Sequence, residues 1–312
     1  MRAMLLAAGL GSRLAPMTTL LPKPAVPLLG RPLAHYAIDR LVAAGVTELA
    51  ANAHHLAPEV DRVVRARFPE AVVSVEATLR GTGGGIRESL RRLEAQSGRA
   101  LGRDEPVLVS NADVLFHVDL AAALRAHVGA GAYATMVLRP DPRAETFGPI
   151  EIDEAGRVRR ILRAPSWSGP LSVRMFTGLS ILSGAAVHDL PDVGSSIQLG
   201  FQRWLARGEV VLGVDDPAPF RDLGTPAEYL AAHLDLLSGA IPWEGVRPAE
   251  RWVHPTARVE GAELGHVAVG EGAYVAPGVR LDRAVVWPGV PVHSGGTDVI
   301  LTGRDRLLVS GG

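Results

Sequence analysis

The 312-residue chain has no cysteine, which excludes disulfides, thiolate zinc sites and cysteine nucleophiles. Lysine is nearly absent too. Of 32 basic residues only Lys23 is not arginine. Net charge is −1, so the chain lacks the basic field by which nucleic-acid binders attract phosphate backbones. Long apolar runs are missing as well. The N-terminal stretch MRAMLLAAGL is apolar for about nine residues, well short of the roughly 20 a spanning helix needs, and it has no charged n-region or cleavage site. No GxxxxGK[ST] segment occurs, and Leu14 stands where a dinucleotide-binding fingerprint requires glycine. The chain reads as a soluble cytosolic protein that binds neither nucleic acid nor membrane.

At 47% hydrophobic and 21% charged residues, the chain can bury a substantial core. Its first 240 residues alternate strand-like runs, at 2–8, 48–53, 71–76 and 106–110, with helical patterns at 32–44, 57–67, 84–94 and 119–128. Such alternation predicts a mainly parallel sheet with helices on both faces, whose ligands sit at the carboxyl ends of strands. Residues 132–182 look strand-rich, with a hairpin about Glu154-Ala155-Gly156, and two further helices follow near 196–207 and 225–238. Beyond Gly239, Val253, Val259, Leu264, Val269, Val275, Leu281 and Val286 recur every five or six residues, which predicts about two coils of a β-helix. The domains are expected at 1–240 and 250–295, with an irregular tail over 296–312.

Several segments carry chemistry. LAAGLGSRL (6–14) follows a strand, and its glycines let backbone N–H groups approach phosphate oxygens while Arg13 adds a forked cation. Taken alone, it could be an ordinary strand-to-helix turn. Pro22-Lys23-Pro24 holds a long cationic side chain on a stiff backbone. A strand ends in Asn111-Ala112-Asp113, where a carboxylate can hold a cation beside a triphosphate. In FRDLGTPAEYL, Asp222 precedes Thr225-Pro226, an N-cap followed by a first-turn proline. His54-His55 invites a metal reading, but adjacent residues of an extended chain face opposite ways.

Together, LAAGLGSRLAPMT and LPKPAVPLLGRPLAHYAIDRLVAAG resemble the N-terminal signature of the sugar-1-phosphate nucleotidyltransferases. The resemblance implies a Rossmann-like α/β fold, a mixed and mainly parallel sheet flanked by helices, followed by a small left-handed β-helix. It implies Lys23 and Arg13 as catalytic cations and Mg²⁺ on Asp113 and Asp222. It places the nucleoside triphosphate on Leu6, Ala8, Gly9, Gly11, Ser12 and Arg13, with Glu76, Gly81 and Thr82 of EATLRGTGGGI at the base. It places the sugar 1-phosphate on Lys23, Gly148 and Gly178. Two departures stand out. Ala112 replaces the family's usual glycine, and Arg163-Ala164-Pro165 stands where many relatives carry Glu-Lys-Pro, with Arg163 one residue out of register for the missing lysine.

The β-helix and Glu76, a carboxylate suited to guanine's two N–H donors, resemble mannose-1-phosphate guanylyltransferases. TGGGI and FTGLSIL resemble N-acetylmuramate 1-phosphate uridylyltransferases. A non-catalytic regulatory subunit of the same fold is a further alternative. The exposed ends of a short β-helix lead one to expect a homo-oligomer.

Overall fold

The structure is a computed structural model, described here for residues 1–116, 118–303 and 305–309. Contacts divide it into two compact units. The first comprises residues 1–9, 36–112 and 118–218, and the second residues 10–35, 113–117 and 219–312. Two of the five divisions fall inside motifs, at Gly9/Leu10 and Ala112/Asp113.

The first unit is built on a nine-stranded sheet. The strand Arg2–Leu6 lies at its centre, buried on both faces as its unbroken apolar run requires, between the parallel strands Glu48–Ala53 and Pro106–Asn111. Val72–Val75 extends the parallel ladder beyond Glu48–Ala53. On the other side the sheet becomes mixed. Ser172–Ser183 runs antiparallel to Pro106–Asn111, and also pairs with Ala134–Arg139 and Ile150–Ile152. The expected hairpin forms between Ile150–Ile152 and Val158–Ile161. Helices Ala57–Arg67, Gly81–Ser97 and Leu120–Gly129 occupy the segments with helical periodicity. The helical segment near 196–207 opens with a π-turn over Ile197–Phe201.

In the second unit the strands Arg251–Val253, Val267–Val269, Arg280–Val286 and Gly296–Leu301 stack in parallel. Arg251 pairs with Val267, Val267 with Ala284 and Ala284 with Val299, offsets of 16, 17 and 15 residues. Three repeats of five or six residues therefore complete each coil of a β-helix. Val269, Val275, Leu281 and Val286 fill its interior, while Val253, Val259 and Leu264 are half-buried at its start. The irregular tail expected from Gly296 onward is replaced, over Gly296–Leu301, by another parallel rung, and Arg306–Leu308 adds an antiparallel strand to it. This rung escaped the periodicity because Gly296, which pairs with Leu281 of the preceding coil, puts no aliphatic side chain at that corner. Residues 304 and 310–312 of the expected tail lie outside the described residues. Among the described residues no helix is long and apolar enough to cross a membrane.

Ile300→Ala tests the extra rung. Removing this fully buried side chain should cost about 2–5 kcal/mol, read by denaturant unfolding. An unchanged midpoint would mean that the segment is a loose tail.

Candidate active site

Four charged side chains converge in the second unit. The short antiparallel ribbon of Val114–Phe116 with Phe220–Asp222 sets two of them, because Asp222 pairs with Val114 and the Leu223 N–H donates to the Asp113 carbonyl at 3.2 Å. Backbone register thus brings together two aspartates from distant parts of the sequence. Lys23 Nζ donates to Asp113 Oδ2 at 2.5 Å, and Arg13 Nη2 lies 3.6 Å from Asp222 Oδ2. The lysine is buried and the arginine exposed, with side chains 8% and 62% accessible. A buried ammonium needs a partner, and Asp113 supplies it.

Asp222 is the strained member. Burial lifts its carboxyl above the ordinary range. Lys23 and Arg13 pull it down, while Asp113 and Glu228 push it further up. Gly224, two residues on, keeps the pair accessible: a Cβ there would lie 2.9 Å from Asp222 Oδ2 and 3.0 Å from the Arg13 guanidinium carbon. Sequence reasoning passed over this glycine, although it belongs to the same DLGT segment.

The residues around Lys23 explain its position. Gly11 is left-handed at φ 66°, and a Cβ on it would meet Thr18 at 2.8 Å and the Lys23 β-carbon at 3.2 Å. The Thr18 hydroxyl donates to the Gly11 carbonyl at 3.0 Å. No side chain fits at Gly11, whose backbone lies against Thr18 and the root of Lys23. After the Lys23–Ala25 turn, Pro27–Leu28 and Arg31–Pro32 form a small hairpin whose two loop residues, Leu29 and Gly30, are both left-handed. A leucine in that conformation costs roughly 1–2 kcal/mol. The Leu29 N–H offsets this by donating to His233 Nε2 at 3.3 Å.

Gly9 contrasts with Gly11. A Cβ at Gly9 would meet nothing within 4 Å, so the protein's own packing does not demand glycine there. Ser12 is exposed at the start of the Ser12–Leu14 turn. Leu6 ends the central strand, where its carbonyl accepts from Ala112 N–H at 3.1 Å. Ala8 and Ala112 are both buried, and the extra methyl of Ala112 is accommodated.

In the first unit the segment expected at the base has an architecture that the sequence did not show. Glu76 is 4% exposed. Its Oε1 accepts from Asn52 Nδ2 and its Oε2 from the Arg80 N–H, both at 2.8 Å. Asn52 Oδ1 in turn accepts from the Ala7 N–H at 2.9 Å. The carboxylate expected to face a base therefore holds the Glu76–Arg80 turn to the strand bearing Asn52. His54 Nδ1 lies 2.8 Å from the Glu76 carbonyl. Nor is the glycine run a loose loop. It opens the helix Gly81–Ser97, and Cβ atoms on Gly81, Gly84 and Gly85 would come within 2.6 Å of Gly194 O, Asp192 O and Asn52 Nδ2 respectively. The Thr82 hydroxyl accepts from Ser196 N–H at 2.9 Å.

On the expected sugar side, Gly148 and Gly178 are both left-handed, and a Cβ on either would collide with Leu162 or Asn111. Arg163 donates to Glu151 at 2.9 Å and also pairs with Glu145, so these two carboxylates already occupy it.

Among the described residues no cluster of three or more His, Asp or Glu side chains could cage an ion. The pair Asp113 and Asp222 suits Mg²⁺ all the same, since Mg²⁺ keeps several waters and takes one or two carboxylates plus substrate phosphates.

Comparison with known proteins places the chain in a family. The nucleotidyl transferase family profile matches residues 2–239. The chain is 32% identical to a mannose-1-phosphate guanylyltransferase of Mycobacterium tuberculosis, over 94% of this chain and 81% of that one. It is 31% identical to an N-acetylmuramate alpha-1-phosphate uridylyltransferase of Caulobacter vibrioides, over 75% of this chain and 96% of that one. Among solved structures, HddC from Yersinia pseudotuberculosis superposes with a TM-score of 0.59 at 22% identity, over 74% of this chain and 97% of that one.

Asp222→Asn should raise the Tm of the metal-free protein at neutral pH. The folded-state pKa is raised, so ionised Asp222 costs stability above that value, and the cost vanishes once pH falls below the ordinary carboxylate range. The gain should therefore be full at neutral pH and lost in acid. Thermal unfolding with chelator across about pH 3 to 8 checks this. A lower Tm for the variant at neutral pH would contradict it.

Proposed function

Since the chain belongs to the nucleotidyl transferase family, we propose that it joins the nucleoside monophosphate part of GTP to mannose 1-phosphate, releasing pyrophosphate. Its reaction class is that of a sugar-1-phosphate nucleotidyltransferase. The observation that carries the reading is the convergence of Lys23, Asp113, Asp222 and Arg13.

In the proposed reaction a sugar-phosphate oxygen attacks the α-phosphorus and forms the new P–O bond. The bond from the α-phosphorus to the bridging oxygen breaks, and pyrophosphate leaves with its electron pair. A phosphate dianion needs no general base, so catalysis rests on positioning and charge neutralisation. Lys23 would move its ammonium from Asp113 to the crowded oxygens of the attacking and α-phosphates. Exposed Arg13 and the amides of the loop beside it, about Gly11 and Ser12, would bind the triphosphate. Asp113 and Asp222 would hold Mg²⁺, which when bound would supply positive charge to the phosphate oxygens. Glu76 is assigned a positioning role, through its hold on the Arg80 N–H and Asn52.

Similarity to the guanylyltransferase runs over 94% of the chain, β-helix included, whereas similarity to the uridylyltransferase spans 75%. That favours the guanylyl reading. The uridylyl reading keeps one observation, the absence of the Glu-Lys-Pro lysine in a chain whose Arg163 is already paired. The regulatory-subunit reading is disfavoured by the intact, converged cluster. The expected homo-oligomer remains a proposal, and light scattering that shows only monomer at micromolar concentration would refute it.

Pyrophosphate release with Mg²⁺, measured over five nucleoside triphosphates against a panel of sugar 1-phosphates, should be fastest with GTP and mannose 1-phosphate. A preference for UTP would reverse the assignment. No turnover with any pair, alongside nucleotide-sugar binding, would establish a regulatory subunit.

A further inference from the structure

The second unit gathers the β-helix together with residues 10–35, the segment that carries Lys23. The contacts responsible are specific. The Tyr229 hydroxyl, on the helix Pro226–Ser238, donates to the Pro27 carbonyl, four residues past Lys23. That hydroxyl accepts in turn from the indole N–H of Trp287, in the β-helix, at 3.1 Å. Tyr229 is fully buried and Trp287 is 5% exposed, so neither polar group has water as an alternative partner. One turn along the helix, His233 accepts from the Leu29 N–H through Nε2, and its Nδ1–H donates to the Tyr229 carbonyl at 3.1 Å. Burial holds this imidazole neutral, with its pKa lowered to about 4. A second β-helix tryptophan, Trp252, lies against the hairpin tip, where a Cβ on Gly30 would come 2.5 Å from its ring.

The Pro27–Pro32 hairpin is thus held from outside at its first residue and at its tip, and the backbone between Lys23 and Pro27 is stiff. The Val26 N–H donates to the Lys23 carbonyl, and Pro22, Pro24 and Pro27 fix φ. A displacement at Pro27 is carried to Lys23 rather than absorbed between them. We propose that Tyr229 and Trp287 are positioning residues for Lys23, so that the β-helix, through one indole N–H, sets the aim of the ammonium at the reacting phosphates. The inference rests on the role assigned to Lys23 above.

The test is steady-state kinetics of the full-length enzyme with its best substrate pair. Trp287→Phe keeps an aromatic ring and removes the N–H together with part of the buried indole, so its Tm is measured alongside kcat. Tyr229→Phe removes the shared hydroxyl. Each should lower kcat by about 10- to 100-fold, the scale of a small misplacement of a catalytic group, with KM for both substrates nearly unchanged. Because both act through one oxygen, the double variant should lose little more than Tyr229→Phe alone. Arg280→Ala, at an exposed ion pair of the β-helix with Glu263, should turn over normally. Wild-type kcat in folded Trp287→Phe would overturn the proposal, as would a loss confined to Tm or KM. If Tyr229→Phe fails to fold, Trp287→Phe decides alone. Turnover retained in a Lys23 variant would refute the underlying assignment instead, so the two failures are distinguishable.

Discussion

A buried ammonium facing two carboxylates is the constraint on which the second unit is built. Lys23 cannot stay charged in the interior without Asp113, and Asp113 and Asp222 cannot sit together without positive charge nearby. The ribbon of Val114–Phe116 with Phe220–Asp222 fixes the carboxylates by backbone register, and the proline-framed turn delivers the lysine. The arrangement stores unfavourable electrostatics in one place, as sites that bind polyanions do, and its fullest relief would come from a substrate carrying both phosphate and metal. It also accounts for the lone lysine of an arginine-rich chain. Its ammonium is a compact point charge held on Asp113, which a planar, forked guanidinium does not reproduce.

Much of this was legible in the sequence, for physical reasons. Strands buried on both faces read as unbroken apolar runs, which marked Arg2–Leu6 and Pro106–Asn111, and helices showed their periodicity. The motif residues lie at strand ends and in turns, where glycine, proline and aspartate have few structural explanations. Lys23, Asp113 and Asp222 could each be singled out, and the fold brings them together.

What could not be read were relations between distant residues. Nothing local at Glu76 shows that Asn52 and the Arg80 amide already use both of its oxygens. Nothing in the TGGG run itself shows that its glycines serve close packing, because glycine serves packing as well as freedom, and here the segment Pro191–Ser196 supplies the packing. The rung at Gly296–Leu301 departs from the six-residue spacing. Tyr229 and His233 read as ordinary residues of an amphipathic helix, and only the fold shows them holding the Lys23 hairpin. In each case the deciding partner is far away in sequence, beyond the reach of periodicity and spacing.

The central claim is that the charge of Lys23 acts as a compact point between closing phosphates. Single-turnover nucleotidyl transfer by Lys23→Arg, with wild type alongside at saturating Mg²⁺ and substrates, tests it most directly. The variant keeps the charge, so the account predicts a folded protein that still binds triphosphate and whose transfer step is slowed by about 100-fold or more. A transfer rate within a few-fold of wild type would contradict the account.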